Sequence, residues 1–326
     1  MRTLIIILAI ALIVGGIAAA FLWDWDNAEF DGDSEFEMSG VVEYQGVNYK
    51  LRNDVETILL MGMDKFEEEI DLTSYTNDQC ADFLVLLVID HAAKTCSTIQ
   101  INRDTMTMMN VLGINGNKVD TAYGQVALSH TYGSGSNDSC RNTARAVANI
   151  FGGMKVDYYV ALTMDAVPVI NDLVGGITLE VLDDLTSVNP EFVEGATVTL
   201  MGDDALRYVR ARKGVGDQTN ISRMKRQNQY MNLLYDKIIE LMGEDENDVH
   251  ITSDLVPYLT SNCSINELES LLESLKTYDN GGTYEIEGES VRGYMYMEFY
   301  PDADKLKGLV VSMFYKPDGE ASQGEE

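Results

Sequence analysis

Short apolar runs alternate along the chain with stretches in which apolar residues recur every three or four positions. The runs predict buried strands over residues 57–63, 83–89, 97–101, 158–162 and 177–181. Alternation over 41–51 predicts a hairpin that turns at Gln45 and Gly46, and residues 291–299 form a further strand candidate.

Helical periodicity separates most of these runs. One apolar stripe ends before the glycines at 152 and 153, and its residues are Ala144, Val147, Ala148 and Phe151. Further helices are predicted over 165–174, 222–242, from Ser264 onward and over 306–314. Strands separated by helices predict an α/β fold, a three-layer α/β/α domain with a central mixed sheet.

The amino-terminal segment is long and apolar enough to cross a bilayer. Residues 4–23 carry no charge, and about twenty helical residues span roughly 30 Å of hydrocarbon. Arg2 precedes this segment and Asp24 follows it, which predicts a cytoplasmic amino terminus and an exported remainder. A cleaved signal peptide is the alternative, because residues 18–20 are all alanine.

These patterns divide the chain into four parts. We predict a cytoplasmic stub and single transmembrane anchor over 1–23, an acidic extracellular tether over 24–40, one folded domain over 41–317 and a disordered acidic tail over 318–326. The expected location is therefore the cell membrane, with the folded domain outside the cytoplasm.

Composition excludes one class of partner. The 326 residues include 23 lysines and arginines against 53 aspartates and glutamates, a net charge of −30. Nucleic acid is not expected to bind, because duplex binding needs a cationic surface. The four cysteines are compatible with one or two disulfide bonds outside the cell, and the pairing stays open: Cys80, Cys96, Cys140 and Cys263.

The few arginines are concentrated near strand and helix ends. Arg103 follows a predicted strand, Arg210 and Arg212 lie in one short segment, and Arg223 begins the long helix. Guanidinium groups bind phosphate oxygens in pairs, so several that converge would suit a diphosphate. The alternative is a set of surface arginines paired with the abundant acids.

The apolar face of the helix over 222–242 ends in polar residues. Continued by steps of four and three, the face that carries Leu234 and Tyr230 reaches Gln227 and Arg223. Buried polar groups need partners, so this end should line a polar cavity or contact a ligand. The helix amino terminus also favours an anion.

Two carboxylates add a candidate metal site. Asp64 ends one predicted strand and Asp82 immediately precedes another, and strand ends in α/β sheets commonly form ligand sites. Two carboxylates beside a diphosphate suit octahedral Mg²⁺. Taken alone, either aspartate fits a turn or capping residue better than a metal ligand; the pair together with the arginines favours the metal site.

Several blocks in order resemble the LytR-CpsA-Psr family of bacterial envelope proteins. They lie between residues 57 and 234 and include ILLMGMD, CADFLVLLVID, TIQINRDTM, KVDTAYG and ALRYVRARKGVGDQTNISRMKRQ. The resemblance implies a phosphotransferase that moves a glycopolymer from a polyprenyl diphosphate to a peptidoglycan sugar hydroxyl. It also implies a long hydrophobic pocket for the lipid.

Site residues follow from the same motifs. The resemblance implies that Asp64 and Asp82 are associated with Mg²⁺, and that the diphosphate is held by Arg103, Arg210, Arg212, Arg223 and Gln227. Among these, Arg103 and Arg210 are the expected catalytic arginines. Asp82 is the expected acceptor of the hydroxyl proton.

The chain departs from the family pattern at three places. Cys80 stands where many members have arginine, Asn102 replaces a usual proline, and the loop between Asp217 and Arg223 is long. Cys80 is compatible with a disulfide bond to Cys140 or with a buried thiol. The missing arginine keeps a second hypothesis open, a non-catalytic envelope module that binds polyprenyl diphosphate or wall polymer in regulation or scaffolding.

Overall fold

A computed structural model describes residues 37–63, 79–211, 220–242, 255–275, 277–294 and 296–318. The predicted anchor, most of the tether, nearly all of the acidic tail, Asp64 and Arg212 lie outside these ranges, and their assignments stay predictions. Within the ranges, no helix has both the length and the apolar character needed to cross a bilayer.

Fifteen strands are found in these ranges. They are β1 (Val41–Tyr44), β2 (Val47–Leu51), β3 (Val55–Met63), β4 (Ala81–Asp90), β5 (Thr95–Ile101), β6 (Met106–Leu112), β7 (Lys118–Gln125), β8 (Tyr158–Thr163), β9 (Ile177–Glu180), β10 (Thr197–Leu200), β11 (Leu259–Ser261), β12 (Asp279–Glu285), β13 (Gly288–Arg292), β14 (Met297–Pro301) and β15 (Tyr315–Pro317).

The α-helices of the same ranges number six. They are α1 (Ser136–Ile150), α2 (Ala166–Leu173), α3 (Asp203–Arg210), α4 (Asn220–Met242), α5 (Ile265–Leu275) and α6 (Ala303–Phe314). The capping box predicted at Ser264 is present at the start of α5, because the Glu267 carboxylate accepts from the Ser264 backbone N–H at 2.7 Å.

A six-stranded sheet is the centre of the fold, with strand order β11-β8-β3-β4-β5-β12. β3 pairs in parallel with β8 and β12 pairs in parallel with β5, whereas the other neighbours are antiparallel. The prediction of an α/β fold with a central mixed sheet is therefore confirmed.

Apolar residues cover both faces of this sheet, as expected for strands that read as continuous apolar runs. On β3, Ile58 and Leu60 belong to one core cluster, which includes residues of α2, α3, α4 and α5. Leu59 and Met61 point to the opposite cluster, which includes residues of α1 and α6. Alternate residues of one strand thus hold helices on both sides.

The hairpin predicted at Gln45-Gly46 is confirmed, since β1 and β2 pair across a turn in which both residues have positive φ. The single strand predicted over 291–299 is wrong. β13 and β14 form a hairpin there, and its turn is closed by a hydrogen bond from the Gly293 N–H to the Tyr296 carbonyl at 2.9 Å. The chain therefore reverses in the middle of the predicted strand.

Candidate functional site

The register of the central sheet brings Asp82 and Arg103 together. Leu84 of β4 pairs with Ile101 of β5 in an antiparallel register. Two residues before Leu84 and two residues after Ile101, the same register places Asp82 opposite Arg103. The Asp82 Oδ1 accepts a hydrogen bond from a terminal nitrogen of Arg103. Asp82 is also the extra residue of a bulge against β3, a feature that redirects a side chain at a strand end.

Hydrogen bonds hold the turn that carries Arg103. The Asn102 side chain accepts from the Asp104 N–H at 3.0 Å, and the Asn102 carbonyl accepts from the Thr105 N–H at 2.9 Å. Asp104 is buried and accepts from Gln125 Nε2 at 2.8 Å. Its Oδ1 also lies 3.7 Å from Arg103 Nε. Arg103 is therefore positioned from two sides, as a rigid site requires.

Arg223 reaches the same carboxylate from the first turn of α4. One terminal nitrogen lies 3.5 Å from Asp82 Oδ2, and the other donates to the Asp82 backbone carbonyl at 3.3 Å. The Arg223 side chain is only 5% exposed. Asp82, Arg103 and Arg223, which we call the arginine centre, thus form a largely buried cluster with two guanidinium groups on one carboxylate.

Arg226 and Gln227 fasten α4 to the end of α3. Arg226 is 1% exposed. Its guanidinium group donates to the Tyr208 carbonyl at 3.2 Å, to the Ala211 carbonyl and to the Asp183 carboxylate. Gln227 is also buried and donates to the Val209 carbonyl at 3.3 Å. These bonds satisfy carbonyls at the carboxyl end of α3.

An apolar cavity begins beside the arginine centre. It encloses about 620 Å³ of space, part of it open to solvent, between the sheet and the helices α2, α3 and α4. Phe83 and Gln227 both line it, and they lie one residue from Asp82 and one helical turn from Arg223. Almost all other lining side chains are apolar, including Leu60, Leu162, Ile170, Tyr230 and Leu234.

The predicted site residues therefore divide into three groups. Arg103, Arg223 and Asp82 come together, and Gln227 lies one turn away at the cavity wall. Arg210 is the last residue of α3 and is exposed. Asp64 and Arg212 lie outside the described ranges, so their place in the site stays a prediction.

Sequence reasoning missed two contributions to the site. Arg226 had a signal, because it lies four residues before Tyr230 on the same helix and so shares its buried side. Thr163, at the end of β8, lines the cavity with a buried hydroxyl that has no hydrogen-bond partner within the described ranges. Nothing in the sequence around Thr163 indicated this position.

The described ranges alone do not make a metal site. They contain no group of three or more histidine, cysteine, aspartate or glutamate side chains arranged to hold an ion. Asp82 is the one predicted metal ligand within them, and both of its carboxylate oxygens already face guanidinium groups. Magnesium therefore stays a prediction that depends on Asp64.

All four cysteines are free thiols, so the possible bond between Cys80 and Cys140 is not formed. Cys140 is buried, with its Sγ 3.8 Å from His130 Nε2, and His130 Nδ1 lies 2.9 Å from the Gln79 carbonyl. Burial raises the pKa of the Cys140 thiol to about 12 and lowers the pKa of His130 to about 4. Both groups are therefore neutral at pH 7, and this pair is structural.

Two relatives of the chain have names that refer to teichoic acid transfer and to biofilm regulation. The chain is 28% identical over 160 residues to the polyisoprenyl-teichoic acid–peptidoglycan teichoic acid transferase TagU of Halalkalibacterium halodurans. That alignment covers 49% of this chain and 46% of that protein. The chain is also 24% identical over 327 residues to Biofilm regulatory protein A of Streptococcus mutans, and that alignment covers 94% of this chain and 75% of that protein. The chain spans about half the length of the TagU relative.

The fold also matches solved structures. A structure described as TagT bound to LIIa-WTA aligns with a TM-score of 0.57 and 20% identity, over 80% of this chain and 90% of that chain. The family model described as LytR_cpsA_psr matches residues 28–309, which confirms the resemblance seen in the motifs. Because that match includes most of the chain, this protein belongs to the LytR_cpsA_psr family.

Proposed function

We propose that the protein is a membrane-anchored phosphotransferase that moves a glycopolymer from a polyprenyl diphosphate carrier to a peptidoglycan sugar hydroxyl outside the cytoplasm. The observation that carries this proposal is the junction between a buried pair of guanidinium groups and an apolar cavity. The name of the TagU relative supports a wall teichoic acid as the glycopolymer.

The two parts of the site match the two parts of such a donor. A polyprenyl chain in the apolar cavity would contribute about 0.8 kcal/mol for each CH₂ group that leaves water. Its diphosphate would then lie at the arginine centre, where guanidinium groups bind phosphate oxygens in pairs. The amino terminus of α4, which carries Arg223, adds partial positive charge.

In this proposal Arg103 and Arg223 stabilise the charge that develops during transfer. Attack by the acceptor hydroxyl on the sugar-linked phosphorus places charge on its equatorial oxygens and on the leaving lipid phosphate. Guanidinium groups fixed in a water-poor site stabilise that charge without reorganisation. Arg210 and Arg212 are the further arginines that we expect near the diphosphate.

We assign Asp82 a positioning role in place of the proton-accepting role expected from the sequence. Its two carboxylate oxygens each face a guanidinium group, and its backbone carbonyl accepts from Arg223. A general base needs an oxygen that reaches the hydroxyl proton. Asp82 therefore supports the arginines.

Transfer by the purified full chain tests the proposal. With a synthetic polyprenyl diphosphate donor and a peptidoglycan acceptor, Arg103→Ala and Arg223→Ala should each lower transfer by roughly 100-fold or more, the range for loss of one fixed transition-state donor. Arg207→Ala is a matched control, since this arginine is 55% exposed. The control should transfer at the wild-type rate.

Products formed with and without acceptor separate the competing functions. Transfer product that needs the acceptor supports a phosphotransferase, whereas release of lipid phosphate at equal rates without acceptor indicates hydrolysis. Donor binding with no turnover would favour the non-catalytic envelope module. Wild-type transfer by both Arg103→Ala and Arg223→Ala would overturn the roles assigned to the arginine centre.

A further inference from the structure

A second depression, which we call the acidic groove, lies next to the arginine centre. It holds about 1220 Å³ of space open to solvent, between β14, the residues that join β12 to β13 and the amino end of α6. Asn102 and Met224 also line it. Each is the immediate neighbour of an arginine of the centre, so the groove leads to the site of the proposed chemistry.

The groove wall is fastened to the turn that carries Arg103. The Phe299 N–H of β14 donates to the Asp104 carbonyl at 2.9 Å. Gln125 Nε2 donates both to Asp104 Oδ1 and to the Met297 carbonyl, each at 2.8 Å. The wall and the arginine centre therefore keep a fixed relation, and a ligand in the groove would be positioned relative to the arginines.

The lining of the groove is negative. Its charged lining residues are four carboxylates and one amine, a net charge of −3: Glu285, Glu287, Glu289, Asp302 and Lys305. Lys305 is itself paired with Glu287. A phosphate 4 Å from one of these carboxylates would be repelled by about 1 kcal/mol even in water, so a polyanionic glycopolymer is a poor occupant.

Aromatic surface accompanies the carboxylates. Tyr300 is 38% exposed and lines the groove, and the half-buried Pro301 supplies apolar surface beside it, whereas Phe299 is buried in the wall. Flat aromatic and apolar faces pack against the C–H faces of sugar rings, and carboxylates accept hydrogen bonds from sugar hydroxyls. The combination suits a sugar chain that is neutral or carries free amino groups.

We infer that the acidic groove binds the acceptor, an uncharged or amino-sugar glycan strand whose hydroxyl points toward Arg103 and Arg223. This inference rests on the proposed function, because it names where the second substrate of that reaction lies. Charge also explains a separation of substrates: the anionic donor is held at the arginines, and the groove excludes it.

The test measures binding of oligosaccharide probes to the full chain by titration calorimetry, with no donor present. The probes are N-acetylchitohexaose, its fully de-N-acetylated form and a short poly(glycerol phosphate). The wild-type protein should bind both hexamers, the amino-sugar form more tightly, and should not bind the poly(glycerol phosphate). Tyr300→Ala should weaken both hexamers by roughly tenfold, the order expected for truncation of an aromatic contact residue.

Two further variants sharpen the result. Tyr284→Ala removes a tyrosine of equal exposure, 38%, that lies outside the groove lining, and it should bind like the wild type. Glu289→Gln should weaken the amino-sugar hexamer several-fold more than the acetylated one, because it removes a charge but keeps a hydrogen-bonding side chain.

Four outcomes would overturn the inference, and three concern the probes above: no binding of either hexamer by the wild type, equal binding by Tyr300→Ala and Tyr284→Ala, or binding of the poly(glycerol phosphate) that Tyr300→Ala abolishes. Tighter binding of an oligolysine peptide than of either hexamer would instead indicate a groove for cationic peptide, and would also overturn it. Because no donor is present, these results are independent of whether Arg103→Ala and Arg223→Ala abolish transfer.

Discussion

The buried guanidinium group of Arg226 offers a direct test of how the site is built. Arg226→Met keeps most of the side-chain volume but removes every donor to Asp183 and to the carbonyls of Tyr208 and Ala211. Removal of one partner from a buried ion pair costs about 3–5 kcal/mol. Because the Asp183 side chain is 20% exposed, we expect the lower end of that range, about 3 kcal/mol.

Urea and thermal unfolding of the full chain measure this loss. At roughly 2–4 °C for each kcal/mol in a domain of this size class, Arg226→Met should lower Tm by about 6–12 °C. Arg207→Met is the matched control. Its side chain is 55% exposed and lies 3.4 Å from Asp204 one turn away, a pair worth at most about 1 kcal/mol.

A double-mutant cycle assigns the loss to the ion pair. Asp183→Asn in the Arg226→Met background should cost less than Asp183→Asn alone, because the carboxylate has already lost its partner. A loss below about 1 kcal/mol for Arg226→Met, or equal losses for the two arginine variants, would refute the view that Arg226 holds the end of α3 against α4.

Three other expectations follow from local geometry and charge. Burial lowers the pKa of His130 from 6.5 to about 4, so between these pH values the unfolded state binds more protons than the folded state. The free energy of unfolding should therefore fall by up to roughly 3 kcal/mol on acidification from pH 6.5 to 4. Unfolding of His130→Gln should show a shallower pH dependence. In Gly62→Ala the new Cβ would lie 2.8 Å from Phe83 Cβ at the cavity wall, so unfolding should show a loss of about 1–3 kcal/mol, whereas Gly40→Ala, with open space around it, should be nearly neutral. If Mg²⁺ takes part, chelation should abolish transfer and added Mg²⁺ should restore it, and transfer that survives chelation would remove the metal from the proposal.

Helical periodicity explains why part of the site could be predicted. Arg223 and Gln227 are buried as expected, because the face that contains Tyr230 and Leu234 is set by local backbone geometry alone. Two misreadings had local causes. The predicted strand over 291–299 ignored Gly293, and the hairpin of β6 and β7 was missed although Asn115-Gly116 is a turn signal and Gly116 has a φ of +74°.

Other features of the site depend on contacts between distant segments. The pairing of Asp82 with Arg103 follows from the register of β4 against β5, and the contact with Arg223 joins residues 141 positions apart. No periodicity specifies strand order, so the sequence could indicate each residue at its own strand end or helix face but could not show that the three meet. The acidic groove also depends on contacts between distant segments. Its wall β14 is joined to the turn that carries Arg103 by the hydrogen bond from the Phe299 N–H to the Asp104 carbonyl.

A net charge of −30 does not exclude an anionic donor, because the groups that contact the donor are few and local. At physiological ionic strength, exposed charges more than about 8 Å apart are largely screened, so most of the surface acids repel only weakly an anion that approaches through solvent. At the buried site the immediate charges are two cations, Arg103 and Arg223, and two anions, Asp82 and Asp104. The surplus of positive charge that an anion needs is therefore proposed to come from the amino end of α4 and from the arginines expected beside it, Arg210 and Arg212. The acids matter where they meet a ligand directly, and in the acidic groove they would select an acceptor without phosphates. A chain this negative can therefore take an anionic donor if its few arginines are buried together and its carboxylates line the other entrance.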